Sequence, residues 1–308
     1  MKKSLLFLLA LAGGVAFAQD KQELTPYSVV ETDAFIEAFK RSYNKKGVPE
    51  DDANSVLADL KNAYRYFESK GEGKSKDEGK AQQRIVKMIT KGLKARKRPR
   101  VTLECVRVLG EIGDAAASKD VARWLEKALD EKSIIPEWIE YGFKSMAWIG
   151  VSDKRSLDLV IKYGTGKHTD ESVSGFALAA AYEYKTLKGK TRKDTFKTLA
   201  GWMQGTYSSA KGGDPKKRAT YEKRYDAAKT NGLKALNELA TYQLTDPPTA
   251  FKDPHEAMKW FKTMKNKRWP DYVGPRFRTK AKAAPKDGAK PKDGDKEPSK
   301  PKKDEKKP

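Results

Sequence analysis

Cysteine is almost missing from this 308-residue chain: Cys105 is the single thiol. One thiol cannot close an intramolecular disulfide, so the fold must be held by its apolar core. Cys105 falls between Leu103 and Val106 in an apolar helical stretch, where a small buried hydrophobe is the expected role rather than a reactive group. Histidine is nearly as scarce, with only His168 and His255, and neither is near the cysteine in sequence. A His/Cys metal cluster therefore has no ligands to draw on, and a Cys–His nucleophilic pair has little support. Phosphate-loop and nucleophile-elbow patterns are also lacking. Gly71–Lys74 and Gly164–Lys167 have no strand before them, and Ser172-Val173-Ser174-Gly175 does not match the elbow. Asp287–Asp295 looks superficially like a calcium loop but has no closing Glu and no helical flanks. These absences predict a chain that is not an enzyme and that uses no cofactor or metal.

Long apolar runs are missing too. Leu5–Leu11 is too short to cross a bilayer, and nothing comparable follows, so no membrane span is expected. With Lys2 and Lys3 before it and Ala16-Phe17-Ala18 after it, residues 1–18 read as a secretory signal cleaved after Ala18. No Cys follows the run, which excludes a lipid-anchored N-terminal Cys. The expectation is an exported, soluble monomer of the periplasm or extracellular space.

Acidic charge is in deficit. Lys and Arg number 64 against 42 Asp and Glu, for a formal charge of +22. The signal holds two of these positive charges and the stretch from Pro270 onward a net six, which leaves +14 on Gln19–Trp269. A body so charged attracts polyanions, such as acidic proteins or envelope polymers.

What is present is helical periodicity, and sustained alternation is not, so no sheet is predicted. Phe35, Ile36, Phe39 and Tyr43 make one stripe. Val56, Leu57, Leu60, Tyr64 and Phe67 make a second after Pro49-Glu50-Asp51-Asp52, and Ile85, Met88, Ile89 and Leu93 make a third. Two segments then share a pattern: Val108-Leu-Gly-Glu-Ile-Gly-Asp114 and Ser145-Met-Ala-Trp-Ile-Gly-Val-Ser-Asp153. Each is an apolar helix end, a Gly break with Asp, and a second apolar helix, with Ser118 expected as the cap of the one after Asp114. A weaker third unit spans Asp170–Met203. The second helices align, with Val121, Leu157 and Phe196 equivalent, then Trp124, Val160 and Leu199, then Leu125, Ile161 and Ala200. Each triplet lies on one helix face, and one hairpin cannot bury both of its stripes, so the units must stack.

Leu-Gly-Glu-Ile-Gly-Asp followed by Val-Ala-Arg-Trp-Leu-Glu-Lys-Ala-Leu resembles a HEAT-like repeat of the exported bacterial type, most clearly over Arg100–Tyr163. Ala115-Ala116-Ala117 departs from the pattern, and the third unit lacks the Ile-Gly break. The resemblance implies an α-solenoid used as a binding scaffold, and it implies no catalytic residues. Further on, Lys216–Tyr242 reads as a long helix interrupted near Asn231-Gly232. Asp253-Pro254-His255-Glu256 reads as a capping box before a last helix. Ala235–Trp269 resembles a terminal module of exported HEAT-like proteins and serves equally as a cap on the array.

The expected fold is all-α, an α-solenoid of stacked antiparallel helical hairpins. Its parts are the signal at 1–18, an N-terminal helical region at 19–98, repeats at 99–205, a capping region at 206–269 and a disordered Lys/Pro-rich tail at 270–308. Basic clusters fall at Lys91–Arg100, Lys185–Lys193 and Lys216–Arg224. The first is densest, and Lys94, Arg96, Lys97, Arg98 and Arg100 are its candidate ligand-binding residues, beside the aromatic pair Trp138 and Tyr141. A solvated rim and core packing are the alternatives for these residues. The expected partner is an unidentified protein or an anionic envelope polymer, with nucleic acid less favoured.

Overall fold

The computed structural model describes residues 25–95, 97–130, 136–167, 171–245 and 247–278. The predicted signal, Arg96 and the tail beyond 278 lie outside these residues. Eleven α-helices occur among the described residues. The first five are α1 (Val29–Ser42), α2 (Glu50–Ser69), α3 (Lys76–Gly92), α4 (Pro99–Ile112) and α5 (Ser118–Asp130). After them come α6 (Pro136–Ile149), α7 (Lys154–Lys162), α8 (Glu171–Tyr182), α9 (Gly189–Gly212), α10 (Pro215–Thr241) and α11 (Pro254–Met264). Among the described residues there is no strand, and bridge pairing is limited to Val151 with Tyr184 and Leu187 with Tyr272. No described helix is long and apolar enough to cross a membrane.

Local chemistry sets the helix ends. Ser28 with Glu31, and Ser75 with Glu78, form reciprocal capping boxes at α1 and α3. Proline opens α4, α10 and α11, where a missing N–H costs nothing. Asp253 caps α11 as expected, accepting from the amides of His255 and Glu256 at 2.8 and 3.0 Å. The Glu256 carboxylate, however, accepts from the Lys252 amide, one residue upstream of the cap. Ser118 does not cap α5; its hydroxyl donates to the Gly150 carbonyl at 2.8 Å and ties two neighbouring units together. Gly113 and Gly150 follow α4 and α6 in the left-handed region, at φ 70° and 84°, which a residue with a Cβ reaches only under strain.

The helices form two layers. Along one, α2, α4, α6, α8 and α10 each pack on the next. In the other, α3 meets the turn before α5, α5 meets α7, the turn after α7 meets α9, and α9 meets α11. One continuous core runs between the layers, and Val121, Leu157 and Phe196 are all buried in it, as stacking requires. Trp124 and Ile161, assigned to the same apolar faces, are only partly buried.

Three expectations need correction. Between the layers of the repeat region, α5 packs on α6, α7 on α8 and α9 on α10, so the second helix of each unit lies against the first helix of the next rather than against its own partner. The connections at residues 113–117 and 150–153 carry the chain sideways between layers. Second, α10 is one unbroken helix of 27 residues. Gly232 does not interrupt it, because α8 and α9 clamp it there, and a Cβ would overlap the Met203 sulfur. Third, order continues past Pro270. Trp269 and Tyr272 are buried, and the chain runs back as a strap over the C-terminal ends of α8, α6 and α4. Tyr272 exchanges two 2.8 Å backbone bonds with Leu187 and donates its hydroxyl to the Tyr182 carbonyl at 2.6 Å. The Gly274 amide donates to the Tyr184 carbonyl, the Phe277 ring seats against Gly150, and the Arg276 guanidinium reaches the Gly113 carbonyl at 3.4 Å. Low average apolar content hides these anchors.

Arg192 fastens the strap. Fully buried at the start of α9, it donates to the carbonyls of Leu239 (2.7 Å), Tyr242 (2.8 Å) and Pro270 (3.0 Å). Two of those oxygens lie at the end of α10, where helical geometry supplies no partner. The guanidinium also lies over the rings of Trp269 and Tyr272.

Candidate functional site

A groove of about 690 Å³ lies where α3, α4 and α5 meet α6 and takes in two of the candidate site residues. Lys94, just after α3, and Trp138, in the first turn of α6, both line it. The array thus joins residues 44 positions apart in the chain. The α5 helix supplies the largest share of the lining, including Asp120, Arg123, Trp124, Glu126 and Lys127, and Arg155 enters from α7.

Trp124 was assigned to the core, yet it is only partly buried and shows part of its ring to the groove. Gly142 explains its position. A Cβ on Gly142 would sit 3.0 Å from the Trp124 ring and 2.6 Å from Leu125, so only a bare backbone lets α5 lie this close to α6. The wall carries mixed charge. Arg155 pairs with Glu126 at 2.7 Å. Among the described residues, Lys94, Arg123 and Lys127 have no carboxylate partner. Arg123 and Lys127 stand four apart on one face of an exposed helix, which was the available sequence signal for them.

A second, smaller basin of about 260 Å³ lies between α5 and α7 and shares Arg123, Glu126 and Arg155 with the first. Lys119 and Asp153 border it. Asp153 is committed to the cap of α7, accepting from the Ser156 amide at 3.1 Å and from its hydroxyl at 2.7 Å.

The other candidates are placed elsewhere. Arg98 is buried, donating to the carbonyls of Ser42 and, at 2.7 Å, Val48, so it ties the α1–α2 loop to the start of α4 and lines neither basin. Lys97 and Arg100 are exposed and line neither basin. Tyr141 is exposed and lines neither basin, and Lys144 lies near its ring and near those of Trp148 and Phe176. From the second basic cluster, Lys190 and Lys193 border a different cleft with Lys267 and Arg268. The first and second clusters therefore line different clefts.

Among the described residues no group of acidic, His or Cys side chains could hold a metal ion. Cys105 is fully buried, and burial pushes its thiol well above the ordinary range, which keeps it un-ionised and unreactive. Compared with known proteins, the chain matches no family model, no curated protein and no solved structure.

Proposed function

We propose that this chain is an exported, non-enzymatic binding scaffold of the HEAT-like kind, and that it receives a protein partner of the cell envelope in the groove between α3, α5 and α6. One observation carries the reading. Two partly buried tryptophans and three cations without a carboxylate partner among the described residues, drawn from α5, α6 and the end of α3, share one concavity. Aromatic and cationic side chains concentrated in a partly desolvated pocket are the usual composition of an interaction hot spot. The partly exposed rings mark the site as one that a ligand completes, since a large indole gains most when fully covered.

A photo-reactive side chain installed at position 127 tests this, with one at exposed Lys229 on α10 as the control. Illumination in envelope extract is expected to give a discrete protein adduct from position 127 and none from 229. Identical adducts from both positions, or none from either, would remove the reading.

A second reading, an anionic envelope polymer as ligand, draws on the same cations and on the +14 body. It requires retention on heparin that falls steeply with salt and drops in Lys94→Glu and Lys127→Glu.

A further inference from the structure

We infer that the groove's ligand is an extended, net-acidic polypeptide segment that carries one large apolar side chain; this rests on the scaffold reading above. Three features of the wall narrow the chemistry. The first is shape. The two basins adjoin at a wall made by Arg123, Glu126 and Arg155, so the site is a pair of concavities on either side of α5 rather than one closed pit. Neighbouring concavities suit a linear chain, which can reach into both, better than a compact small molecule.

The second feature is the pattern of charge. Lys94, Arg123 and Lys127 are unpaired among the described residues, and they call for ligand carboxylates. Asp120 and Glu126 border the larger basin, and Glu126 and Asp153 the smaller. A uniformly charged polymer would set some of its anions against these three carboxylates, at a repulsive cost. A polypeptide can place neutral or donor residues opposite them and acidic residues opposite the cations. The Arg155–Glu126 pair on the shared wall is solvent-exposed, with Arg155 at 71%. Exposed pairs of this kind contribute little stability, so a ligand carboxylate can readily take the place of Glu126.

The third feature is apolar. Trp124 and Trp138 stand in the larger basin with Leu93 and Pro99, a seat for one big side chain and not for a run of them. The smaller basin has no aromatic residue. The anchor and the acidic residues facing Lys94 and Lys127 therefore share the larger basin, and Arg123 extends the cationic wall across α5 toward α7.

Selection from a displayed library of random peptides about 12 residues long, reaching ~40 Å when extended, tests this on the full chain. Sequences enriched in Asp and Glu around a single Trp, Phe or Leu are expected. Binding of the selected peptides should fall about tenfold in Lys127→Glu and in Trp138→Ala, and should be unchanged in Lys229→Glu. Lys127 is an exposed side chain, so that variant tests the charge without touching the core. Polyglutamate or heparin competing as well as the selected peptides, with no dependence on Trp138, would overturn the inference in favour of a uniform polyanion. Selected peptides without acidic enrichment, alongside a persisting adduct at position 127, would overturn the ligand chemistry and leave the scaffold reading standing. Loss of both the adduct and the selection would remove both.

Discussion

Replacing Arg192 with methionine removes the hub that joins the end of α10 to the returning strap. The side chain is fully buried, and its three donors serve the carbonyls of Leu239, Tyr242 and Pro270 at 2.7–3.0 Å. Methionine fills much of the volume but donates nothing, so one buried and two half-buried oxygens lose their donor. A buried acceptor without a partner costs about 1–3 kcal/mol, and relaxation toward solvent recovers part of that for oxygens near a helix end. Over the three oxygens the expected loss is ~3–5 kcal/mol. For a domain of this size that lowers Tm by about 6–20 °C. Urea unfolding followed by circular dichroism measures the loss, and native-state hydrogen exchange at the Tyr272 and Gly274 amides locates it, since both bond into the strap. Arg192→Lys keeps the charge but cannot form a planar three-way fork, so it should fall between wild type and Met. A Met variant within about 0.5 kcal/mol of wild type, or strap amides that exchange no faster, would refute the reasoning.

Two other substitutions test the same framework. Gly150→Ala should cost ~2 kcal/mol or more, because it adds left-handed strain and drives a Cβ to 2.7 Å from the Phe277 ring and 2.9 Å from the Glu183 carbonyl. Gly113→Ala, whose Cβ first meets the movable Arg276 tip, should cost less; equal Tm losses would disprove the steric account. Glu183 is partly buried, and burial raises its carboxyl above the ordinary range, outweighing the Arg276 amide that it accepts from. The native state therefore holds the proton more tightly than the unfolded chain, and this group's contribution to stability declines as pH rises from the ordinary Glu value, about 4.3, through the raised one. Glu183→Gln should melt higher than wild type at neutral pH, with the gap closing below about pH 4; a constant gap across that range would contradict it.

Most of the elements were open to reading residue by residue. The apolar spacing of Val121, Leu157 and Phe196 specifies faces that only stacking can cover, and Pro99, Pro136, Pro254 and Asp253 mark helix starts through local chemistry alone. The site was half legible. Lys94 and Trp138 stood out as a charge in a basic run and an aromatic after a proline. Arg123 and Lys127 looked like any solvated helix face, and Trp124 looked like core, because periodicity gives the side of a helix but not how much of that side a neighbour covers. Arg98 shows the opposite case, a cation in a basic run that the fold consumes in holding a loop.

Sequence by itself determined the class of the molecule: all helix, stacked in two layers, held without disulfides, because periodicity, caps and composition are local properties of the chain. Tertiary structure alone decided that α10 runs unbroken through Asn231-Gly232, that Tyr272 and Phe277 return over the helix ends, and that Lys94 meets Trp138 across α5. Each of these depends on contacts between residues tens of positions apart, and the strength of such a contact is set by what packs around it rather than by its neighbours in the chain.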